Sequence, residues 1–382
     1  MTKLINIVIF LSVFLLSISF VSPVKAQDNA GENSSDVPTE VFYKALVEKI
    51  TAQGENTSYG FTSPYQKVVL KFLDGNLKGQ EINIDNGGGA YSIDKSQLVN
   101  VNDTVLVNKT DFGDNSSTYQ ITDQYRLDKV IPIIIVFFLA ILVLSGFQGL
   151  GSIVGLVISL AVIIKYIIPQ ILAGKDPLFI SIIGCLVIMI TTIYLAHGFS
   201  RKTTIALIST FLTLVGTALI SILFVQITRL TGLGNEDASS LRLDPSLNIN
   251  FKGLLLGGIL IGTLGVLDDV TTGLSASIFE LAKANPKYKY KELFRSGLVI
   301  GREHIASLVN TLVLAYAGAS LPIFVTIVLN PSHYPINIIL NDGLIMEEVV
   351  RTLAGSIGLI AAVPLTTFIA AYYVSKQKTL KV

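Results

Sequence analysis

Long apolar runs separated by short polar stretches fill the last two thirds of the chain. Each run is close to the ~20 residues that a helix needs to cross ~30 Å of hydrocarbon. We predict seven spanning helices, at residues 130–147, 151–171, 177–197, 203–225, 251–267, 305–329 and 349–374. Residues 129–382 are therefore predicted to form an all-α polytopic membrane domain.

The pattern differs before the first span. Residues 40–128 contain short alternating runs such as QKVVLKFL and DTVLVNKT, separated by turn formers such as Asp74-Gly75-Asn76. Alternation with regular turn signals predicts about five strands, in a small β-barrel or a β-sandwich. Residues 27–39 are rich in Asn, Ser and Asp and are predicted to be a linker.

The N-terminus has the pattern of a secretory signal. Lys3 precedes an apolar stretch that ends near Phe20, and Val24-Lys25-Ala26 fits a small-x-small cleavage site. We interpret residues 1–26 as a signal peptide; an uncleaved first span is the alternative. Both interpretations export the segment that follows.

The distribution of positive charge predicts the orientation in the membrane. An exported start and seven spans place the C-terminus in the cytoplasm. The loops and tail on that predicted side are rich in basic residues, whereas the opposite loops are mixed in sign. The basic residues are Arg201, Lys202, Lys283, Lys287, Lys289, Lys291, Arg295, Lys376, Lys378 and Lys381. The positive-inside rule therefore predicts an extracellular β domain and a cytoplasmic C-terminus.

Composition narrows the classes of function. The chain is 51% hydrophobic and 14% charged, with a net charge of +1, so bulk charge gives no reason to expect a nucleic-acid partner. One cysteine excludes an internal disulfide framework and a thiolate metal cluster. The three histidines lie far apart in sequence and do not suggest a metal site. We predict no cofactor and no metal.

Two adjacent aspartates, Asp268 and Asp269, end the fifth predicted span. Negative charge is unfavourable at a helix C-terminus, which argues against a purely solvated boundary. Neighbouring helical positions also point about 100° apart, so we expect a break at Thr271-Thr272-Gly273 if both are to face one site. A specific role for at least one aspartate and a simple solvated helix end both remain open.

Further polar residues follow at the start of the sixth predicted span. Polar groups in a span need partners or a wet cavity. We expect Arg302 to form an ion pair with one of the two aspartates. Such a pair would be a structural explanation of these residues, as an alternative to a functional role. The candidate polar membrane site contains Asp268, Asp269, Arg302, Glu303, Asn310 and Thr311.

The segment GVLDDVTTGLSASIFEL followed by IGREHIASLVNTLVLAYAGASLPI resembles the signature of the YibE/F family of multi-spanning bacterial membrane proteins. The shared features are an apolar glycine-rich run ending in aspartate, then Gly301-Arg302-Glu303, Asn310-Thr311-Leu312 and Ala315 to Leu321. The resemblance covers roughly residues 127–374 and implies a multi-pass protein of the bacterial cell membrane. It carries no established activity.

Several functions are compatible with these features. The leading hypothesis is a transport-related protein in which the polar residues line or gate a path; an accessory or sensory protein that binds a partner through its β domain is the alternative. An intramembrane aspartyl protease needs two carboxylates on separate helices, which the pattern does not offer. P-loop and serine-elbow motifs are absent from the sequence, so we expect no enzyme. The lipid bilayer is the predicted partner, with a homo-oligomer or a second family member left open.

Overall fold

The computed structural model describes residues 39–58, 61–87, 92–112, 117–329 and 335–379. The predicted signal peptide and most of the predicted linker lie outside these residues. The chain divides into two compact units between Ala140 and Ile141. We call them the β unit and the helical unit.

The β unit is one antiparallel sheet. Its five strands are β1 (Thr39–Ser58), β2 (Phe61–Phe72), β3 (Glu81–Asn86), β4 (Thr104–Asp111) and β5 (Ser117–Gln124). They are arranged in the order β3-β2-β1-β4-β5, and the edge strands β3 and β5 approach within 8 Å between Cα atoms. The sheet is therefore curled into a half-barrel, as predicted, and the described residues contain no second sheet to form a sandwich.

Alternating residues of the strands form the core of this half-barrel. Tyr43, Ala45 and Val47 of β1 are buried, while the residues between them are more exposed. The buried Gln66 side chain accepts a hydrogen bond from the backbone N–H of Val99 at 2.8 Å and donates one to its carbonyl at 3.0 Å. This side chain therefore fastens the connection before β4 to the sheet.

Ten α-helices follow the sheet in the described residues. They are α1 (Leu127–Gly146), α2 (Gly149–Leu172), α3 (Pro177–His197), α4 (Arg201–Ile227), α5 (Glu236–Arg242), α6 (Phe251–Ala284), α7 (Tyr290–Ala319), α8 (Leu321–Leu329), α9 (Ile336–Leu340) and α10 (Gly343–Thr379). Seven of them, α1 to α4, α6, α7 and α10, are long and apolar enough to cross a membrane. The predicted fold class is therefore confirmed.

Helix α6 is the centre of the helical unit and packs against α3, α4, α7 and α10. Its apolar core residues Leu260, Leu267 and Leu274 are buried. Glycines allow the close contacts: a β-carbon on Gly257 would lie 2.3 Å from the Ser181 hydroxyl of α3. Small residues at such positions are the usual basis of helix packing in membranes.

Helix α4 buries most of its hydroxyl side chains and exposes several large apolar side chains. Its buried hydroxyl residues are Thr203, Ser209, Thr210, Thr213, Thr217 and Ser221. Leu212, Leu219 and Leu223 point outward, and Leu219 is 64% exposed. This polarity is opposite to that of a soluble helix and matches a helix surrounded by lipid.

The predicted end of the fifth span is wrong. Helix α6 continues without a break through Asp268 and Asp269 to Ala284. Val270, Leu274 and Ile278 extend its buried face beyond the aspartates, and the Thr272 hydroxyl donates to the carbonyl of Asp268 at 2.8 Å. Packing and local hydrogen bonding therefore keep helical a segment that was expected to break.

Two other predicted spans differ in their limits. The sixth, expected from residue 305, corresponds to α7 and α8, which separate at Ser320 next to Pro322. The seventh begins earlier than predicted, because α10 starts at Gly343. Proline favours a helix start because its missing N–H would be unpaired there, which explains the new start at α8.

Candidate functional site

Asp268 lies close to the middle of α6. Its Oδ1 atom is buried and has no hydrogen-bond partner among the described residues. Buried carboxylate oxygens are normally paired, because removing a charged or polar atom from water without a partner costs several kcal/mol. This unpaired oxygen is therefore the feature of the helical unit that most needs a chemical explanation.

Asp269 has a different environment from its neighbour. Its side chain is exposed, and it interacts electrostatically with His197, the last residue of α3. The structure brings the two aspartates together only as neighbours on one continuous helix. They face different surroundings, as expected for adjacent helical positions.

A small pocket lies one turn beyond the aspartates, where α3 ends and α4 begins. Its volume is about 90 Å³. It is lined by His197, Lys202, Thr203, Ala206, Thr272 and Ala276. The sequence analysis did not assign His197 or Lys202 to a site, since they are far from Asp268 in sequence.

Two interhelical hydrogen bonds fix the register of α4 against α6. The hydroxyls of Thr210 and Thr271 are 2.6 Å apart, and the Ser275 hydroxyl donates to the carbonyl of Lys202 at 2.8 Å. Asp268 is two helical turns from Ser275, or about 10 Å at 1.5 Å per residue. The aspartate therefore lies about 10 Å deeper in the bundle than the basic start of α4.

The buried hydroxyls of α4 form a column that offers hydrogen-bond acceptors. The hydroxyls of Ser209, Thr213, Thr217 and Ser221 each donate to the carbonyl four residues earlier, at 2.7–2.9 Å. Each proton is therefore used within the helix, while each buried hydroxyl oxygen keeps the capacity to accept a hydrogen bond. On α10, the buried hydroxyls of Ser356 and Thr366 have no partner among the described residues.

The remaining predicted site residues lie on α7, away from the aspartates. Arg302, Glu303, Asn310 and Thr311 are all exposed. The packed face of α7 instead carries Gly297, Gly301 and Leu312, of which Gly301 lies against Val363 of α10. Among the described residues, no hydrogen bond or ion pair therefore joins these α7 side chains to the aspartates of α6.

Arg302 is not the partner of either aspartate: none of the ion pairs among the described residues joins them. Gly297 of α7 lies against Ile278 of α6, and the Tyr316 hydroxyl lies against Gly262. At this antiparallel register Asp268 is level with residues 307–310. Arg302 is more than one helical turn from that level along α7.

A second polar cluster was missed by the sequence analysis. Glu347 is buried and its Oε1 accepts a hydrogen bond from the N–H of Gly234 at 2.9 Å. Arg351 contacts Glu348 at 3.4 Å and lies near Tyr316 of α7. The sequence contains a signal for this cluster, an E-E-x-x-R pattern, but the last predicted span starts inside the pattern, at residue 349.

A larger pocket lies at the opposite ends of α3 and α4. Its volume is about 180 Å³, and its lining residues are Asp176, Leu178, Ile222, Gln226, Asn250, Lys252, Gly253 and Leu256. Asn250 caps the N-terminus of α6 by accepting from the N–H of Gly253 at 3.1 Å. The two pockets are thus at opposite ends of the α3–α4–α6 packing.

Among the described residues, no group of three or more His, Cys, Asp or Glu side chains is arranged to hold a metal ion.

The comparisons with known proteins identify the family. The comparisons with curated proteins and with solved structures find no match. The profile of YibE/F-like proteins matches residues 133–376, more than half of the chain, and the chain therefore belongs to the YibE/F family.

Proposed function

We propose that this protein is a transport-related membrane protein that moves a cation through its helical unit. The observation that carries the proposal is the buried, unpaired Oδ1 of Asp268. An ionisable side chain inside a span is expensive to maintain and usually marks a path for ions or protons. A proton or a small cation is the natural partner of such an oxygen.

The hydroxyl column supports a cation rather than an anion. It presents acceptor oxygens, because its protons are bonded within α4. Oxygen atoms are the ligands that hard cations prefer, whereas an anion would need free N–H or O–H donors. The two pockets at opposite ends of α3 and α4 would serve as the entry and exit of the path.

The path is closed in this conformation. A β-carbon on Gly358 of α10 would collide with the Thr217 hydroxyl of α4, so α10 packs directly against this side chain. Transport then requires α10 and α4 to separate during the cycle, as in alternating access by movement of one helix group against another.

Flux measurements on reconstituted protein test this function. Uptake of protons and of a panel of monovalent and divalent cations is compared in vesicles with and without the protein. We expect Asp268→Asn to reduce flux by roughly tenfold or more, because it removes the charge from the path. Asp269→Asn should reduce it much less, and Glu280→Gln, an exposed change on the same helix, should leave it unchanged.

The following results would contradict the transport proposal or explain a loss of flux. Equal flux in empty vesicles and in vesicles with the protein would overturn the transport proposal. The accessory or sensory alternative predicts that result together with a stable partner that co-purifies with the full chain. Thermal unfolding in detergent separates a loss of flux from a loss of folded protein.

We also propose the orientation that charge predicts: the β unit outside the bacterial cell membrane and the C-terminus in the cytoplasm. A Lys376→Cys variant in a Cys185→Ala background should react with a membrane-impermeant maleimide only after the cells are opened. Labelling of intact cells would contradict this orientation. No enzymatic activity is part of the proposal.

A further inference from the structure

The outer face of α7 carries a line of polar side chains. Glu303, Ser307 and Asn310 follow one another at spacings of four and three residues and are all exposed. They lie opposite Leu312 and Gly301, which are buried against α10. Residues at this spacing share one face of a helix, so the polar line points away from the rest of the helical unit.

These side chains have no partner in the part of the chain that the structure describes. Among the described residues, the Asn310 amide makes no hydrogen bond, and Arg302 and Glu303 make no ion pair. The neighbouring Thr311 satisfies its hydroxyl within α7 by donating to the Ser307 carbonyl at 3.0 Å. The Asn310 amide makes no such hydrogen bond within α7.

Lipid hydrocarbon cannot supply hydrogen-bonding partners to the polar side chains of this face. An amide in hydrocarbon needs a hydrogen-bonding partner, and polar residues in spans almost always face protein or water. Helix α7 is also sparsely covered: 11% of its most apolar window is buried, compared with 56% for α6 and for α10. A further protein surface is therefore required against α7.

We propose that this surface is α7 of a second copy of the chain, related by a two-fold axis along the membrane normal. Such an axis places equal depths of the two helices face to face. The two Asn310 amides then meet, and each amide both donates and accepts, so the pair satisfies itself.

The charge of this face and the size of its side chains are also compatible with a second copy of α7. Arg302 and Glu303 are adjacent, so the face has no net charge, and the long arginine side chain of each copy can reach the partner's glutamate. Ala306 and Ala317 flank Asn310 on the same face and keep it narrow. Small residues beside a polar one are the pattern by which spanning helices associate.

Cross-linking in reconstituted bilayers tests the proposal on the full chain. Single-cysteine variants Ser307→Cys and Asn310→Cys are made in a Cys185→Ala background and treated with a short bis-maleimide. Leu219→Cys on α4 is the control, because it points outward and is 64% exposed. It also lies at a similar depth, since Gly355 contacts Leu312 of α7 and Gly358 contacts Thr217 of α4.

We expect a band at twice the chain mass for Ser307→Cys and Asn310→Cys and none for Leu219→Cys. Adding Asn310→Leu to Ser307→Cys should lower the cross-linked fraction roughly tenfold at low protein-to-lipid ratio, because the amide pair is lost. Adding Thr311→Val, whose hydroxyl bonds only within α7, should leave that fraction unchanged.

Three results would overturn the proposal. The first is equal cross-linking at Leu219→Cys, which indicates random collision. The second is reaction with a water-soluble maleimide and no cross-link, which indicates a water-filled path. The third is neither a cross-link nor reaction with the water-soluble maleimide, which indicates that the face is covered by something other than a second α7. None of these readouts depends on transport.

Discussion

The interior of the β unit is mostly apolar, whereas the helical unit buries many hydroxyl side chains beside its apolar core. In the β unit the interior consists of residues such as Val47, Leu70 and Val105, all fully buried. In α4 of the helical unit Thr210 and Ser221 are fully buried, while Leu212, Leu219 and Leu223 point outward. The same chain therefore follows two packing rules.

The difference follows from the surrounding solvent. Water drives apolar side chains into the interior of the β unit. Hydrocarbon gives leucine no reason to leave the surface of a spanning helix, so helices associate through small residues and hydrogen bonds. Buried polarity in the helical unit is therefore ordinary where it is paired, as at Thr210 and Thr271, and informative where it is not, as at Asp268.

Leucine substitutions test the contrast most strongly. Leu70→Ala should destabilise the β unit by about 2–5 kcal/mol, since it removes a fully buried side chain and leaves a cavity. Leu219→Ala should change the stability of the helical unit by less than about 0.5 kcal/mol. Denaturant unfolding of the β unit and thermal unfolding in detergent measure the two effects. A large loss at Leu219 would break the comparison.

Glycine substitutions test close packing in the helical unit. Gly358→Ala should destabilise it by about 1–3 kcal/mol, because the added carbon collides with the Thr217 hydroxyl. Gly216→Ala on α4 is the matched control: nothing lies within 4 Å of its added carbon. That control should be neutral or stabilise by up to about 1 kcal/mol, since alanine favours the helix. Thermal unfolding in one detergent compares them, and equal effects would argue against close packing of Gly358 on the Thr217 side chain.

The smallest expected effect concerns the paired hydroxyls. Thr210→Val and Thr271→Val together form a double-mutant cycle across α4 and α6. We expect a coupling of about 0.6 kcal/mol, with an upper limit near 1.7 kcal/mol. Thr192→Val is the control, because the Thr192 hydroxyl bonds only to carbonyls of its own helix. Zero coupling would mean that the 2.6 Å contact between the hydroxyls contributes nothing to stability.

Much of the architecture could be predicted because its signals are local. A run of about twenty apolar residues is sufficient to indicate a span, and alternation with turn formers is sufficient to indicate strands. Both rest on the spacing of residue types along one element. The number of candidate spans and the strand-rich N-terminal region therefore agree between sequence and structure.

The geometry around the predicted site residues depends on how helices pack, which the sequence does not specify. The sequence identified Asp268 as unusual, but it could not show that α6 continues past it, since Leu274 and Ile278 are held in helix by contacts with other helices. It also grouped Arg302 and Asn310 with the aspartates from proximity to the same predicted boundary. The register of α7 against α6 decides instead that Arg302 lies more than a turn away.

The sequence by itself determined which segments are helices and strands, and which residues are polar in apolar surroundings. The tertiary structure alone decided which polar groups meet. Thr210 and Thr271 are paired, Asp268 Oδ1 is left without a partner, and Asn310 is turned outward. The physical reason is that secondary structure follows from the period of residues along one segment. A partner's position depends instead on the rotation and register of two segments that no local pattern specifies.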